Sequence, residues 1–275
     1  MNSKEIGGFD IIGDIHGEYR TLCRLLDKLG YAFKDGIYWH PTRRVIFLGD
    51  FIDRGAEAFK VVTLARRMVE RGYALAVMGN HEFNAIMAYE GFRKLPSDDV
   101  HRPFHDKMIR DFPNTYRDMI AWFKTLPVCR MIGNLVAVHA CWDPELFKMI
   151  HEKGLVDENN VIRPWVYEKY YKDSELRYPL KAMLKGKERK LPKGEYFIDK
   201  DGVKRDNMRV SWWNDYNAAP IVICGHYWLK AESPSILSEK VSCVDYSAVK
   251  GGFLCAYRCD ASDVMVSNEN FVWTK

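Results

Sequence analysis

Six residues have the types and spacing to hold metal ions. They are Asp14 and His16 in Gly13-Asp-Ile-His-Gly17, Asp50 in Gly49-Asp-Phe-Ile-Asp-Arg-Gly55, Asn80 in Gly79-Asn-His-Glu82, His139 in Val138-His-Ala140 and His226 in Gly225-His226. Carboxylate, imidazole and carboxamide together suit Mn, Fe, Zn or Co, and the absence of thiolate from the set argues against a structural zinc site. Asp50 is expected to bridge two ions, with Asp14 and His16 completing one site and Asn80, His139 and His226 the other. Two divalent ions about 3.5–4 Å apart can clamp an in-line displacement at phosphorus, and a bridging water of lowered pKa would be the nucleophile.

Three neighbours have chemistry of their own. Arg54 can donate paired hydrogen bonds to phosphoryl oxygens. His81 adjoins Asn80 and can protonate the leaving oxygen. Asp53 can hold the His81 imidazole. Any one of these pieces is weak, since a lone buried histidine is usually a satisfied core residue. The weight lies in five motifs in order, each closing an apolar run.

Those runs must position the polar residues. Phe9–Gly13, Val45–Gly49, Ala74–Gly79, Leu135–Val138 and Ile221–Gly225 are short, aliphatic and end in turn chemistry, which predicts strands buried on both faces. Helical spacing separates them in Glu18–Leu29, in Ala56–Arg71 (Phe59, Val62 and Val69 on one stripe) and in Tyr116–Leu126, which stops at Pro127. Alternation of strand and helix predicts an α/β fold with ligands beyond the carboxyl ends of the strands. Val241–Asp245, Phe253–Arg258 and Val264–Ser267 predict an antiparallel C-terminal portion, with Gly251-Gly252 as a tight turn. Two face-to-face sheets with helices outside are expected.

From about Pro144 to Arg209 the alternation is lost. Lys185-Gly, Pro192-Lys-Gly194 and Lys200-Asp-Gly202 are expected turns, and Trp165, Tyr167, Tyr170, Tyr171 and Tyr178 crowd the first third. Between Arg163 and Arg209 there are 14 Lys and Arg against 8 Asp and Glu, whereas the whole chain is only +4. We read residues 144–209 as a basic insertion near the active-site edge of a single domain spanning 1–275. Leaving the core just after His139 and returning before His226, it is placed to choose an anionic substrate, and Lys185, Lys187, Arg189 and Lys190 look like one steering cluster. Seven cysteines in an odd count, without a Cys-x-x-Cys pair, are expected as buried reduced thiols. The sequence shows neither a signal peptide nor an apolar run long enough for a membrane span, so a cytoplasmic protein without a membrane partner is expected.

Gly-Asp-Ile-His-Gly, Gly-Asp-Phe-Ile-Asp-Arg-Gly, Gly-Asn-His-Glu, Val-His-Ala and Gly-His resemble the signature of calcineurin-like metallophosphoesterases, specifically the phosphoprotein phosphatase branch. That branch holds Ser/Thr phosphatases and symmetrical diadenosine tetraphosphate hydrolases. The resemblance covers roughly residues 9–141 and 221–258. It implies a four-layer αββα sandwich, a centre of two divalent metal ions (Mn favoured, with Fe, Zn, Co or Ni as alternatives) and the roles given above to Arg54, His81 and Asp53. It also implies a second phosphate-binding arginine before the last histidine, for which Arg209 and Arg205 are candidates. Two segments depart from the pattern: Ala140-Cys-Trp-Asp-Pro144, and Val244–Gly252, where Tyr246 and Ser247 stand in an Asp-Thr-Gly-Ala-like stretch. Both lie near the expected substrate mouth and bear on substrate rather than on metal chemistry. The expected activity is hydrolysis of phosphate ester or phosphoanhydride bonds in a dinucleoside polyphosphate, other nucleotide or small phosphorylated molecule, with a phosphoprotein substrate as the alternative. A non-catalytic nucleic-acid module, stacking bases on Trp212-Trp213 and Tyr227-Trp228, is disfavoured because no ligand is missing.

Overall fold

The structure, a computed structural model, describes residues 6–198, 204–260 and 262–275. The chain begins with β1 (Gly8–Ile12), α1 (Tyr19–Lys28), the hairpin β2 (Ala32–Lys34) and β3 (Ile37–Trp39), then β4 (Arg43–Phe47), α2 (Ala58–Glu70) and β5 (Ala74–Ala76). Next come α3 (Asn80–Tyr89), α4 (Arg102–Asp111), α5 (Pro113–Phe123), β6 (Cys129–Ile132) and β7 (Leu135–Val138). Three further helices are α6 (Pro144–Glu152), α7 (Pro164–Lys169) and α8 (Ser174–Lys185), followed by the short strands β8 (Glu188–Lys190), β9 (Phe197–Ile198), β10 (Lys204–Arg205) and β11 (Asn207–Arg209). The last strands are β12 (Ile221–Cys224), β13 (Val241–Cys243), β14 (Asp245–Tyr246), β15 (Phe253–Cys259) and β16 (Phe271–Thr274).

Two sheets carry the site. In the first, of order β14-β15-β1-β4-β5 with β16 on β15, strands β1, β4 and β5 run parallel. In the second, of order β13-β12-β7-β6, strands β7, β12 and β13 run parallel. The two-residue period of the strands explains the layering. Phe9, Ile11, Ile46 and Leu48 from one sheet and Leu135, Ala137, Ile221 and Ile223 from the other share one core between the sheets. Their alternates Ile12, Val45, Phe47, Val136, Val138, Val222 and Cys224 face outward and pack with the helices. The fold is therefore the expected α/β sandwich of two sheets with helices outside. All seven cysteines are free and all but Cys23 are buried. No helix among the described residues is long and apolar enough to cross a membrane.

Four expectations are corrected. Phe59 lies on the solvent side of α2 at 51% exposure, and the packed face is Val61, Val62, Leu64, Ala65 and Met68. Val241–Asp245 is not one strand of a meander: β13 pairs parallel with β12, and the chain crosses at Val244 so that β14 pairs antiparallel with β15 in the other sheet. Its link to β15 is a short 3-10 turn, Ala248–Lys250, ending at Gly251 with φ 85°, rather than a two-residue turn. Val264–Ser267 is not a strand. Val264 and Met265 are exposed, Ser267 caps a 3-10 turn over Asn268–Asn270, and the edge of β15 is taken by Phe271–Thr274.

The stretch 144–209 opens with helices because Asp143 and Asp173 cap α6 and α8, each accepting from two backbone N–H groups. Tyr167 and Tyr170 are buried against Phe83 of α3, while Trp165, Tyr171 and Tyr178 are exposed. The carbonyl of Met183 in α8 accepts from Ala140 N and Cys141 N, so α8 is fastened to the loop that follows His139. The expected turns at Lys185-Gly186 and Gly194 carry positive-φ glycines. The expected turn Lys200–Gly202 lies outside the described residues.

Candidate metal centre

Every expected ligand leaves the carboxyl end of a parallel strand. Asp14 and His16 follow β1, Asp50 follows β4, Asn80 begins α3 after β5, His139 follows β7 and His226 follows β12. All six are buried. The loops interlock through the backbone: Asp50 O accepts from Ile15 N and His16 N, and His16 O accepts from Gly55 N. Gly225 is needed for approach, since a Cβ there would lie 2.2 Å from Asp14 Oδ1.

Asp50 sits at the middle. Its Oδ2 is 3.6 Å from His16 Nε2 and 3.7 Å from His81 Nε2, and its Oδ1 is 3.5 Å from His139 Nε2. It belongs to two groups whose donor atoms could converge on one ion, His16–Asp50–His81 and Asp50–His139–His226. His139 Nε2 is also 3.1 Å from Asn80 Oδ1. Asp14 accepts from His226 N through both oxygens at 3.1 Å.

Two imidazoles have their tautomer set by carbonyls. His16 Nδ1 donates to Ile52 O at 2.9 Å and His139 Nδ1 to Leu48 O at 2.7 Å. In the neutral ring each Nε2 then carries a lone pair. The His139 lone pair faces two oxygens, and His16 Nε2 is buried without a hydrogen-bond partner among the described residues. Acceptors that face acceptors call for a cation between them, so the donor set fits divalent metal. Electrostatics agree. Burial pulls the His139 imidazole down to about 4 and holds His16, His81 and His226 well below their ordinary value. Burial, helped by Asp245 and Asp53, pushes Asp50 up to about 8, and burial with Asp245 and Asp50 raises Asp14. Neutral imidazoles around carboxylates short of positive charge are what bound cations would relieve.

The other expected residues are at the same edge. His81 Nδ1 donates to Asp53 Oδ2 at 2.5 Å. The Arg54 guanidinium lies 4.4 Å from the Trp228 ring, which in turn stacks on His16. Arg209 places Nη2 3.2 Å from His226 Nε2, while the Arg205 side chain lies outside the described residues. The four basic residues expected to form one steering cluster do not form one patch. Lys185 reaches Asn84 at the site, Lys187 is ion-paired with Asp143, and Arg189 and Lys190 are exposed on β8. Trp212 and Tyr227 are buried and bonded to each other, Nε1 to hydroxyl at 2.8 Å, which removes them as base-stacking surfaces.

Sequence reasoning missed three contributors. Glu82 is fully buried and accepts from Asp50 N, Phe51 N and Gly79 N at 2.7, 2.9 and 3.2 Å, binding the Asp50 loop to the start of α3. Its place in Gly-Asn-His-Glu was the available signal. Asp245 accepts from Trp228 N at 2.7 Å and Ser247 N at 3.1 Å, joining the two loops of the mouth. His101, with no motif around it, also donates to Asp53.

A two-sheet α/β sandwich with a buried His/Asp/Asn cluster at the strand ends defines a metallophosphoesterase. The chain belongs to the calcineurin-like phosphoesterase family, whose model matches residues 8–228. Among curated proteins it is similar to a bis(5'-nucleosyl)-tetraphosphatase PrpE [asymmetrical] of Halalkalibacterium halodurans, 50% identical over 88 residues, 32% of this chain and 35% of that protein. The namesake from Bacillus velezensis is 42% identical over 143 residues, 48% of this chain and 55% of that protein. The chain thus spans about a third to a half of the relatives it matches, and their names specify asymmetrical cleavage rather than the symmetrical kind. Solved structures share the fold: a candidate diadenosine tetraphosphatase (18% identity, 98% of this chain, 93% of that chain, TM-score 0.58) and a Saccharomyces cerevisiae protein Ser/Thr phosphatase (16%, 99% and 80%, 0.59).

Proposed function

We propose that this chain hydrolyses phosphoanhydride bonds of dinucleoside polyphosphates, using two divalent ions, Mn²⁺ in our reading, held by Asp14, His16, Asp50, Asn80, His139 and His226. The observation that carries the metal reading is the His139 lone pair facing Asn80 Oδ1 and Asp50 Oδ1. The substrate reading draws on the relatives' names and on the cations Arg54, Arg209 and Lys185 around the edge. When bound, paired divalent ions supply Lewis-acid stabilisation of phosphoryl charge and make water more acidic.

The chain's own residues do the rest. Arg54 orients the phosphoryl oxygens. His81 gives a proton from Nε2 to the leaving oxygen while Asp53 holds Nδ1–H. Arg209 is the second phosphate ligand. If His226 ligates through Nδ1, which has no hydrogen-bond partner among the described residues, Nε2 must carry the proton and cannot accept from Arg209. The guanidinium is then released toward the substrate. In the same reading residues 144–209 are an insertion in a single domain of 1–275, and they supply Lys185 to the edge.

The test is a metal-reconstituted panel of p-nitrophenyl phosphate, diadenosine tetraphosphate and a phosphopeptide, with product analysis. Chelation should abolish turnover, Mn²⁺ should restore it, and kcat/KM should be highest for the dinucleotide. Full turnover at confirmed zero metal would refute the metal reading. Preference for the phosphopeptide would transfer the assignment to a protein phosphatase.

A further inference from the structure

Asp53 is held by two histidines, not one. His81 Nδ1 and His101 Nδ1 both meet the same oxygen, Oδ2, and all three residues are buried. The far side of His101 fixes the direction of its proton. His101 Nε2 is 2.9 Å from the Asn84 amide nitrogen, and the Asn84 oxygen is 3.4 Å from Lys185 Nζ. Because Lys185 only donates, Asn84 accepts from it through oxygen and donates through nitrogen. His101 Nε2 must then accept, and Nδ1–H donates to Asp53. Donation therefore runs in one sense from Lys185 at the end of α8 through Asn84 and His101 to Asp53, and His81 donates to the same carboxylate oxygen from the other side.

We propose that His101 is a positioning residue for the proton donor His81. It fixes the Asp53 carboxylate and, through Asn84, couples that carboxylate to Lys185 of the insertion. The proposal rests on the reading of His81 as the acid. Asp53 Oδ1 has no hydrogen-bond partner among the described residues, so the two N–H donors on Oδ2 set the carboxylate's rotamer between them. With His101 removed, Asp53 is free to turn, and the His81 ring loses the anchor that aims Nε2 at the edge.

The experiment compares wild type with His81→Asn, His101→Ala, His101→Asn and Asn84→Leu, each metal-loaded with content measured. The substrates are p-nitrophenyl phosphate and an alkyl phosphate monoester, whose leaving groups differ in their need for a proton. His101→Ala should lower kcat on the alkyl ester by roughly 10-fold or more and on p-nitrophenyl phosphate by less, at unchanged metal content. His101→Asn keeps an N–H near the Nδ1 position and should recover part of the loss, and Asn84→Leu should show a milder form of the same split. Ring ¹H–¹⁵N spectra of the zinc-loaded protein should lose one downfield Nδ1–H signal in His101→Ala and keep those of His81, His16 and His139. Equal losses on both esters, or none, in His101→Ala and Asn84→Leu while His81→Asn keeps its split would overturn the role of His101 alone. No split in His81→Asn would instead remove the acid reading on which it rests.

Discussion

Replacing Glu82 with Gln tests how the metal edge is held together. The Glu82 carboxylate is fully buried and accepts three backbone N–H groups, Asp50 N and Gly79 N on Oε2 and Phe51 N on Oε1. A glutamine keeps one oxygen. With that oxygen in the Oε2 position, Phe51 N–H faces an NH₂ group and is stranded. A buried donor left without a partner costs about 1–3 kcal/mol. The two bonds that remain lose charge assistance, and the negative charge on the first turn of α3 goes with it, about 0.3–1 kcal/mol more. The sum is about 1–4 kcal/mol. At a urea slope of about 3 kcal/mol per molar, that lowers the unfolding midpoint by up to roughly 1 M. The same three bonds set the relative position of Asp50 and Asn80, so divalent metal should bind roughly 10–100-fold more weakly, as when other partners that orient ligands are lost. Equilibrium unfolding and metal titration of the purified variant read both effects. A Glu82→Gln variant with the wild-type midpoint and metal affinity would refute the idea that Glu82 sets this geometry.

Other perturbations separate position from stability. Asp50→Asn should lose both ions, whereas Asn80→Ala should weaken one, which metal analysis per chain would show. Gly225→Ala introduces a Cβ 2.2 Å from Asp14 Oδ1. The variant should fold with an unchanged circular dichroism spectrum but bind metal at least about 10-fold more weakly. In the middle of β1, away from the metal edge, Asp10 is fully buried and accepts from Tyr31, Arg43 and Arg258. Asp10→Ala removes a buried acceptor shared by three donors, although Arg43 keeps Asp260 and two carbonyls and Arg258 keeps Leu29 O, and it should cost about 1–3 kcal/mol in denaturant titration, with kcat of the folded fraction unchanged.

The strand ends were legible because each couples two independent signals, an aliphatic run and a glycine followed by a polar residue. Val45–Gly49 and Ile221–Gly225 therefore fell within a residue or two of their strands. Phe59 and Val264 misled for one reason: apolar type does not report side. Phe59 belongs to the helical period of α2 but lies just past its packed stripe, and Val264-Met265-Val266 has strand composition although the edge of β15 is taken by Phe271–Thr274. The crossing at Val244 was invisible because Val241–Asp245 reads identically whether its halves serve one sheet or two. His101 was illegible for a different reason. Its partner Asp53 lies 48 positions away, and only the packing of α3, α4 and the β4–α2 loop brings the two together. Lys185 looked like one of four surface cations because charge runs show sign but not burial.

The site also shows where backbone freedom is spent. Among the described residues nine that are not glycine have positive φ, and seven of them are at this edge: His16, Asp50, Asp53, Arg54, His226, Trp228 and Ser247. Each such conformation costs an L-residue about 1 kcal/mol or more. Glycine would remove the cost at any of them but would also remove the side chain, and five of the seven are residues to which we give chemistry. The loops therefore adopt strained turns so that carbonyls such as Ile52 O and Leu48 O aim inward at imidazole Nδ1 atoms, leaving Nε2 lone pairs to point at the oxygens of Asp50 and Asn80. That arrangement is unfavourable on its own, with acceptors opposed and carboxylates crowded. It is held by bonds that take no part in catalysis, those of Glu82 to three amides and of Asp245 to two. Divalent ions binding there would act on a framework already bent to receive them. The energy of binding would then stabilise the fold as well as prepare the chemistry.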